Sequence, residues 1–147
     1  MIDKASNEIL LVTFAAVKVD RLAASLIKAA NRGVKIRLVL EFAEASEGQL
    51  SFDALNAFPS ELVNAAEVYF WPVEKRQRNQ AGKPGKLHAK LAVIDGEVLI
   101  SSANLTDDAF TRNLELGAKL RNHDVARWAH EHFSALISDA TLKRLKN

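Results

Sequence analysis

The chain has 147 residues, 48% of them apolar and 26% charged, with a formal net charge of +2. That is the size of a single domain with a real core, and so small an excess of charge names no partner by itself. There is no cysteine, which excludes disulfide stapling, thiolate catalysis and cysteine-based zinc sites. The N-terminus is polar and the first apolar run is far too short to cross a bilayer, so the expectation is a cytoplasmic protein without integral membrane association.

Ile9 to Ala16 is apolar except for Thr13 and reads as a strand buried on both faces. Val19 to Arg32 carries Leu22, Leu26, Ala29 and Ala30 at helical spacing, with Asp20 in the first turn and Gly33 as the stop. Val34 to Leu40 alternates like a second strand. Strand, helix and strand with short connections predict a right-handed crossover and a parallel pair. An acidic loop over 41–49 and a short helix over Leu50–Ala57 come next, with Ser60 as cap of a further turn. Val68 to Trp71 reads as a third strand. Glu74 to Lys86 lacks apolar periodicity and reads as an exposed loop.

Leu87 to Asp95 reads as a strand, with His88 and Lys90 on one face. Asp95-Gly96 is a tight hairpin turn into Val98-Leu99-Ile100, which ends in Ser101-Ser102-Ala103-Asn104. Leu114 to Leu120 alternates like a strand. A helix over Asp124–Ile137 is expected to turn Val125, Trp128, Phe133 and Leu136 inward, and a final short helix covers Leu142–Lys146. The fold class is α/β, one domain with a mixed β-sheet flanked by helices, standing alone or as part of a longer chain.

The hairpin returns Ser102 and Asn104 towards His88 and Lys90. An imidazole, a cation and two neutral hydrogen-bonding groups then converge, a set suited to holding and attacking a phosphate. His123 beside Asn122 and Asp124 is read as part of a helix cap, and His130 and His132 as solvent-exposed polar positions. Trp71, Trp128 and Phe133 are read as core. Lys75, Arg76, Arg78, Lys83 and Lys86 stand against one acid, Glu74, in the loop that runs into His88. Such a basic rim suits a polyanion such as nucleic acid. The loop has no aromatic residue, so contacts to the backbone with weak sequence preference are expected.

His88-x-Lys90 with Asp95 after four intervening residues, then Ser102-Ala103-Asn104 and then Glu115, resembles the phospholipase D superfamily and its H-x-K-x4-D, G-S-x-N and glutamate motifs. Ser-Ala-Asn-Leu-Thr followed by Asn-Leu-Glu-Leu-Gly is most similar to the bacterial branch of nucleases, restriction systems and phage-defence proteins. Ser101 replaces the usual glycine, and a single motif stands where the family's site needs two. The resemblance therefore implies a phospholipase D-like domain working as a symmetric homodimer. It implies that His88 of one chain attacks a phosphodiester to form a phosphohistidine, while the partner's His88 protonates the leaving oxygen. Lys90 and Asn104 would hold the phosphate oxygens. Ser102 would donate a further bond to the phosphate or brace the loop, and Glu115 would accept from the second nitrogen of a His88 ring. Asp95 would be structural. No metal or other cofactor is implied, since Lys90 supplies the positive charge. Two further readings of the same residues are a lipid phosphodiesterase and a catalytically silent nucleic-acid-binding or assembly module with defence-system partner proteins.

Overall fold

The computed structural model describes residues 1–42 and 54–145. The expected acidic loop falls almost entirely outside them, as does the first half of the expected Leu50–Ala57 helix; Ala54–Ala57 is a single 3-10 turn.

The sheet grows outward from β1 (Glu8–Thr13). Ile9, Leu10, Leu11 and Val12 are all buried, as in a strand covered on both faces. On one side β1 pairs parallel with β3 (Lys35–Leu40), which pairs parallel with β4 (Glu67–Phe70). On the other it pairs antiparallel with β5 (Leu91–Ile94), then β6 (Glu97–Ser101) and β8 (Gly117–Leu120). The edge beyond β4 is β9 (Lys143–Arg144), which completes a seven-stranded mixed sheet among the described residues.

Even and odd strand positions feed separate cores. Ile9, Leu11, Ile36, Leu38 and Ile94 pack under α1 (Asp20–Asn31), whose Ala23, Leu26 and Ala29 form the buried stripe. Leu10, Val12, Val39, Val93 and Val98 pack under α4 (His123–Ser138) through Ala126, Ala129 and Phe133. Two layers of helix thus enclose one sheet. Gly33 stops α1 at φ 87°. Its N–H donates to Ala30 and that of Val34 to Ala29, a left-handed cap that a side chain would strain.

Several expectations change. The first strand divides: after Thr13 the chain breaks, and β2 (Ala16–Val17) joins β7 (Leu105–Thr106) in a small parallel sheet. The Thr13 hydroxyl donates to the Ala15 carbonyl across that break. Ser60 opens α2 (Ser60–Ala65) without a side-chain cap bond. Asn122, not His123, caps α4, its Oδ1 accepting from the N–H groups of Asp124 and Val125. The His123 ring lies against Gly96, where a Cβ would collide with it. His130 is half-buried, bonded to Glu8 at 3.0 Å and beside Arg37 at 3.3 Å.

Trp128 is 65% exposed, because the apolar stripe runs through Ala126, Ala129 and Phe133, one position out of phase with it. The expected C-terminal helix is β9 instead. Ala140, at φ 60°, turns the chain after α4; Leu142 is buried, and the Leu145 N–H donates to Val68 along the β4 edge. Edge pairing and burial here overrule local helix preference.

Candidate active site

The register brings four strand ends to one edge of the sheet. β1 and β5 meet at Val12 and Leu91, β5 and β6 at Leu91 and Ile100, and β6 and β8 at Ser101 and Gly117. His88 and Lys90 just precede β5, Ser102 and Asn104 just follow β6, and Glu115 just precedes β8. This is also where the parallel strands end, the usual place for a ligand in such sheets.

His88 does not lie within the strand, as expected from the run Leu87–Asp95: residues 85–90 have no strand assignment. The β1–β5 ladder ends at Val12 and Leu91. Alternation therefore does not place His88 and Lys90. A local contact does: the Lys90 ammonium donates to the His88 carbonyl at 2.9 Å. Phe14 underlies both, its ring centroid 5.2 Å from that of His88 and 5.8 Å from Lys90 Nζ. The sequence reading missed Phe14; its signal was an aromatic placed where the first apolar run breaks.

Burial lowers the pKa of His88 below the ordinary 6.5, and the charges of Lys90 and Lys86 lower it further. The imidazole is thus neutral near pH 7, the form that has a lone pair for attack. Burial also lowers the pKa of Lys90, against the attraction of Glu115. The Ser102 hydroxyl donates to Glu115 at 2.5 Å and the Asn113 amide at 3.2 Å. Those bonds, Ser102 first, hold the Glu115 carboxyl below the usual carboxylate range. Ser102 also ties the two loops: its Oγ accepts from the Leu116 N–H, and its own N–H donates to the Leu116 carbonyl. Ser101 accepts from the Ala103 N–H and shapes the loop in place of a glycine.

Asn104 follows two residues after Ser102. Its Oδ1 is buried without a hydrogen-bond partner among the described residues. Within one chain, Glu115 accepts from Ser102 and Asn113, and no hydrogen bond joins it to His88 among the described residues.

Asp95 lies at the far end of β5. Its carboxylate accepts from the backbone N–H groups of Ser6, Asn7 and Glu8 and from the Ser6 hydroxyl, at 3.0–3.1 Å. Burial, which pushes its pKa up, is overcome by these bonds, which leave it below the ordinary value of 3.8. It fastens the N-terminus to the hairpin.

The basic loop divides. Arg76 is a correction: its side chain is fully buried against Glu41 at 2.7 Å, so it is not part of any rim. Lys75 is exposed but donates to the Ala140 carbonyl. Arg78 is exposed and donates to Gly82 within the loop. Lys83 and Lys86 are exposed, and Lys86 is near enough to act on His88.

An imidazole, an ammonium, a hydroxyl, an amide and a carboxylate thus stand beside adjoining strand ends of an α/β fold. The family model of the cardiolipin synthase, PLD-like domain, matches residues 1–137, and the chain belongs to that family and so to the phospholipase D superfamily. Its fold is similar to that of NucT from Helicobacter pylori, with a TM-score of 0.72 at 19% identity over 93% of this chain and 82% of that one. Nuc from Salmonella typhimurium, described as a phospholipase D family member, gives 0.72 at 20% identity over 99% and 86%. TrmBL2, described as an archaeal chromatin protein with a novel mode of DNA binding, gives 0.58 at 20% identity over 94% of this chain and 45% of that one. No curated protein sequence matches the chain.

Proposed function

We propose that this chain is a metal-independent phosphodiesterase that cleaves the backbone of DNA or RNA, with its site completed by a second copy of itself. The observation that carries the reading is the Lys90 ammonium bonded to the His88 carbonyl just before β5, with the Ser102–Glu115 pair on the adjoining strand ends and Lys90 close enough to Glu115 to feel its charge. His88 attacks phosphorus as the neutral imidazole and forms an N–P bond while the P–O bond breaks. The partner's His88, kept as the imidazolium by the bound phosphate's negative charge, gives its proton to the departing oxygen. Water, deprotonated by the partner's His88, then breaks the N–P bond. Lys90 and Asn104 hold the non-bridging oxygens as charge builds on them. Lys83 and Lys86 extend the positive field towards a polyanion.

One chain supplies one such histidine, and the surface around Glu115 supports pairing. Leu114 is 104% exposed and Leu116 83%, with Phe110 at 61%. Glu115 is turned to Ser102 while its two neighbours stand in water. Large apolar side chains this exposed, two of them flanking Glu115, are what a subunit interface would cover. A second copy seated here about a twofold axis would supply the second His88 that the mechanism needs.

The same exposed leucines favour one rival, a phospholipid phosphodiesterase whose entrance needs apolar surface, and the family description names a lipid enzyme. Among the described residues no helix is long and apolar enough to cross a membrane. Labelled DNA and RNA, single- and double-stranded, and phospholipid vesicles, each assayed in EDTA, separate the two. Cleavage of nucleic acid alone supports the proposal, and headgroup release alone overturns it. A strict monomer that binds nucleic acid without cutting supports a silent binding or defence-complex module.

A further inference from the structure

A fully buried ion pair lies directly behind the segment that carries His88. Glu41 follows β3 and is 0% exposed. Its Oε1 accepts from Arg76 Nη2 at 2.7 Å and from the Phe42 N–H at 3.1 Å. Its Oε2 accepts from Arg76 Nη1 and from the Leu87 N–H, both at 2.9 Å. These donors match the acceptor capacity of a carboxylate. Arg76 in turn donates to the carbonyls of Trp71 and Gly85, and its guanidinium lies 5.0 Å from the Trp71 ring centroid.

Stability alone is a poor explanation for such a pair. Desolvating two charges commonly offsets their attraction, and apolar residues of similar size often serve the fold as well. The placement has another consequence. The segment 85–90 lacks strand pairing. It is held at its far end, where the Ser101 N–H donates to the Lys90 carbonyl at 3.1 Å. Near His88 it is held by the bond from Leu87 to Glu41 and by the grip of Arg76 on Gly85.

We propose that Glu41 and Arg76 are positioning residues for His88, an internal clamp that fixes the backbone on which the imidazole is aimed. This rests on the reading of His88 as the nucleophile, and neither clamp residue touches substrate. A displacement of the ring by about an ångström is enough to slow an attack severely.

The test compares three variants of the full chain. Glu41→Leu/Arg76→Met replaces the pair by apolar groups and leaves the Leu87 N–H without its acceptor. Glu41→Gln keeps an acceptor for it. Leu26→Ala opens a cavity under α1, away from this segment, and controls for lost stability alone. The readouts are kcat and KM in EDTA and the imidazole NMR resonances of His88. The double variant is expected to fold, to lose about tenfold or more in kcat with KM nearly unchanged, and to shift or broaden the His88 signals. Glu41→Gln keeps the acceptor for Leu87 but gives up part of the bidentate hold on Arg76. It is therefore expected to lose less kcat and still to shift the His88 signals, by less than the double variant. Leu26→Ala is expected to change neither readout.

A folded double variant with wild-type kcat and wild-type His88 signals overturns the clamp. So does a Leu26→Ala variant that loses as much kcat at equal stability. If the double variant does not fold, Glu41→Gln carries both readouts, and unchanged His88 signals there overturn the proposal. If wild type cleaves nothing, the nuclease reading fails by itself, and the His88 signals still decide the clamp.

Discussion

Replacing Asp95 by alanine removes the acceptor that three backbone N–H groups and the Ser6 hydroxyl share. Each bond to a buried charged group nets about 1.5–3 kcal/mol, but this carboxylate meets solvent and water takes over much of the bonding. The nearest analogue is a carboxylate capping exposed N–H groups, whose loss costs about 0.5–2 kcal/mol. The upper end applies, because several donors are orphaned together. With about 2.1 cal/mol/K of unfolding entropy per residue over 147 residues, a loss of about 2 kcal/mol lowers Tm by about 6 °C.

The pH dependence has a definite sign. The folded-state pKa of Asp95 is depressed, so its contribution is complete above the unfolded value and is lost as pH falls through the folded one. Wild type and Asp95→Ala should therefore differ in Tm at pH 7 and converge as pH falls through the depressed folded-state pKa, below the ordinary 3.8. Below the melting temperature the variant should keep wild-type kcat, since Asp95 is at the opposite end of β5 from His88. Equal Tm values at pH 7, or a large loss of kcat in fully folded protein, would refute the reasoning.

Lys86→Gln removes one of the cations that disfavour the imidazolium, so the His88 pKa, followed by NMR titration, should rise towards 6.5; no change would remove Lys86 from the site. Ser102→Ala breaks the link between the Asn104 loop and Glu115, and should lower kcat by about tenfold or more with the thermal midpoint little altered. Leu116→Glu puts a charge into the exposed apolar surface. It should yield a folded monomer by light scattering, without cleavage activity.

The sequence made the middle of the sheet legible. Ile9–Val12, Val34–Leu40 and the stripe Leu26–Ala29 obey the periodicities of strand and helix, and burial confirms them. The parallel pair follows from their order. What local pattern could not show depends on partners distant in the chain. The break after Thr13 answers to pairing with Leu105, β9 answers to the edge of β4, and Trp128 is outside because Ala126 and Ala129 occupy the face against the sheet. The site was legible as a motif and less so as geometry. His88 and Lys90 do meet, through the loop before β5 rather than through strand alternation. A run of five basic residues could not reveal that Arg76 points inward, because its partner Glu41 is 35 residues away.

The central claim is a metal-free, two-histidine cleavage of a phosphodiester. Its most direct test is to digest labelled single- and double-stranded DNA and RNA in EDTA with wild type and His88→Ala, recording molecular size on the same samples. The account predicts cleavage by a dimeric wild type and none by His88→Ala. A folded wild-type dimer that cuts nothing, or a His88→Ala variant that cuts as well as wild type, would contradict it.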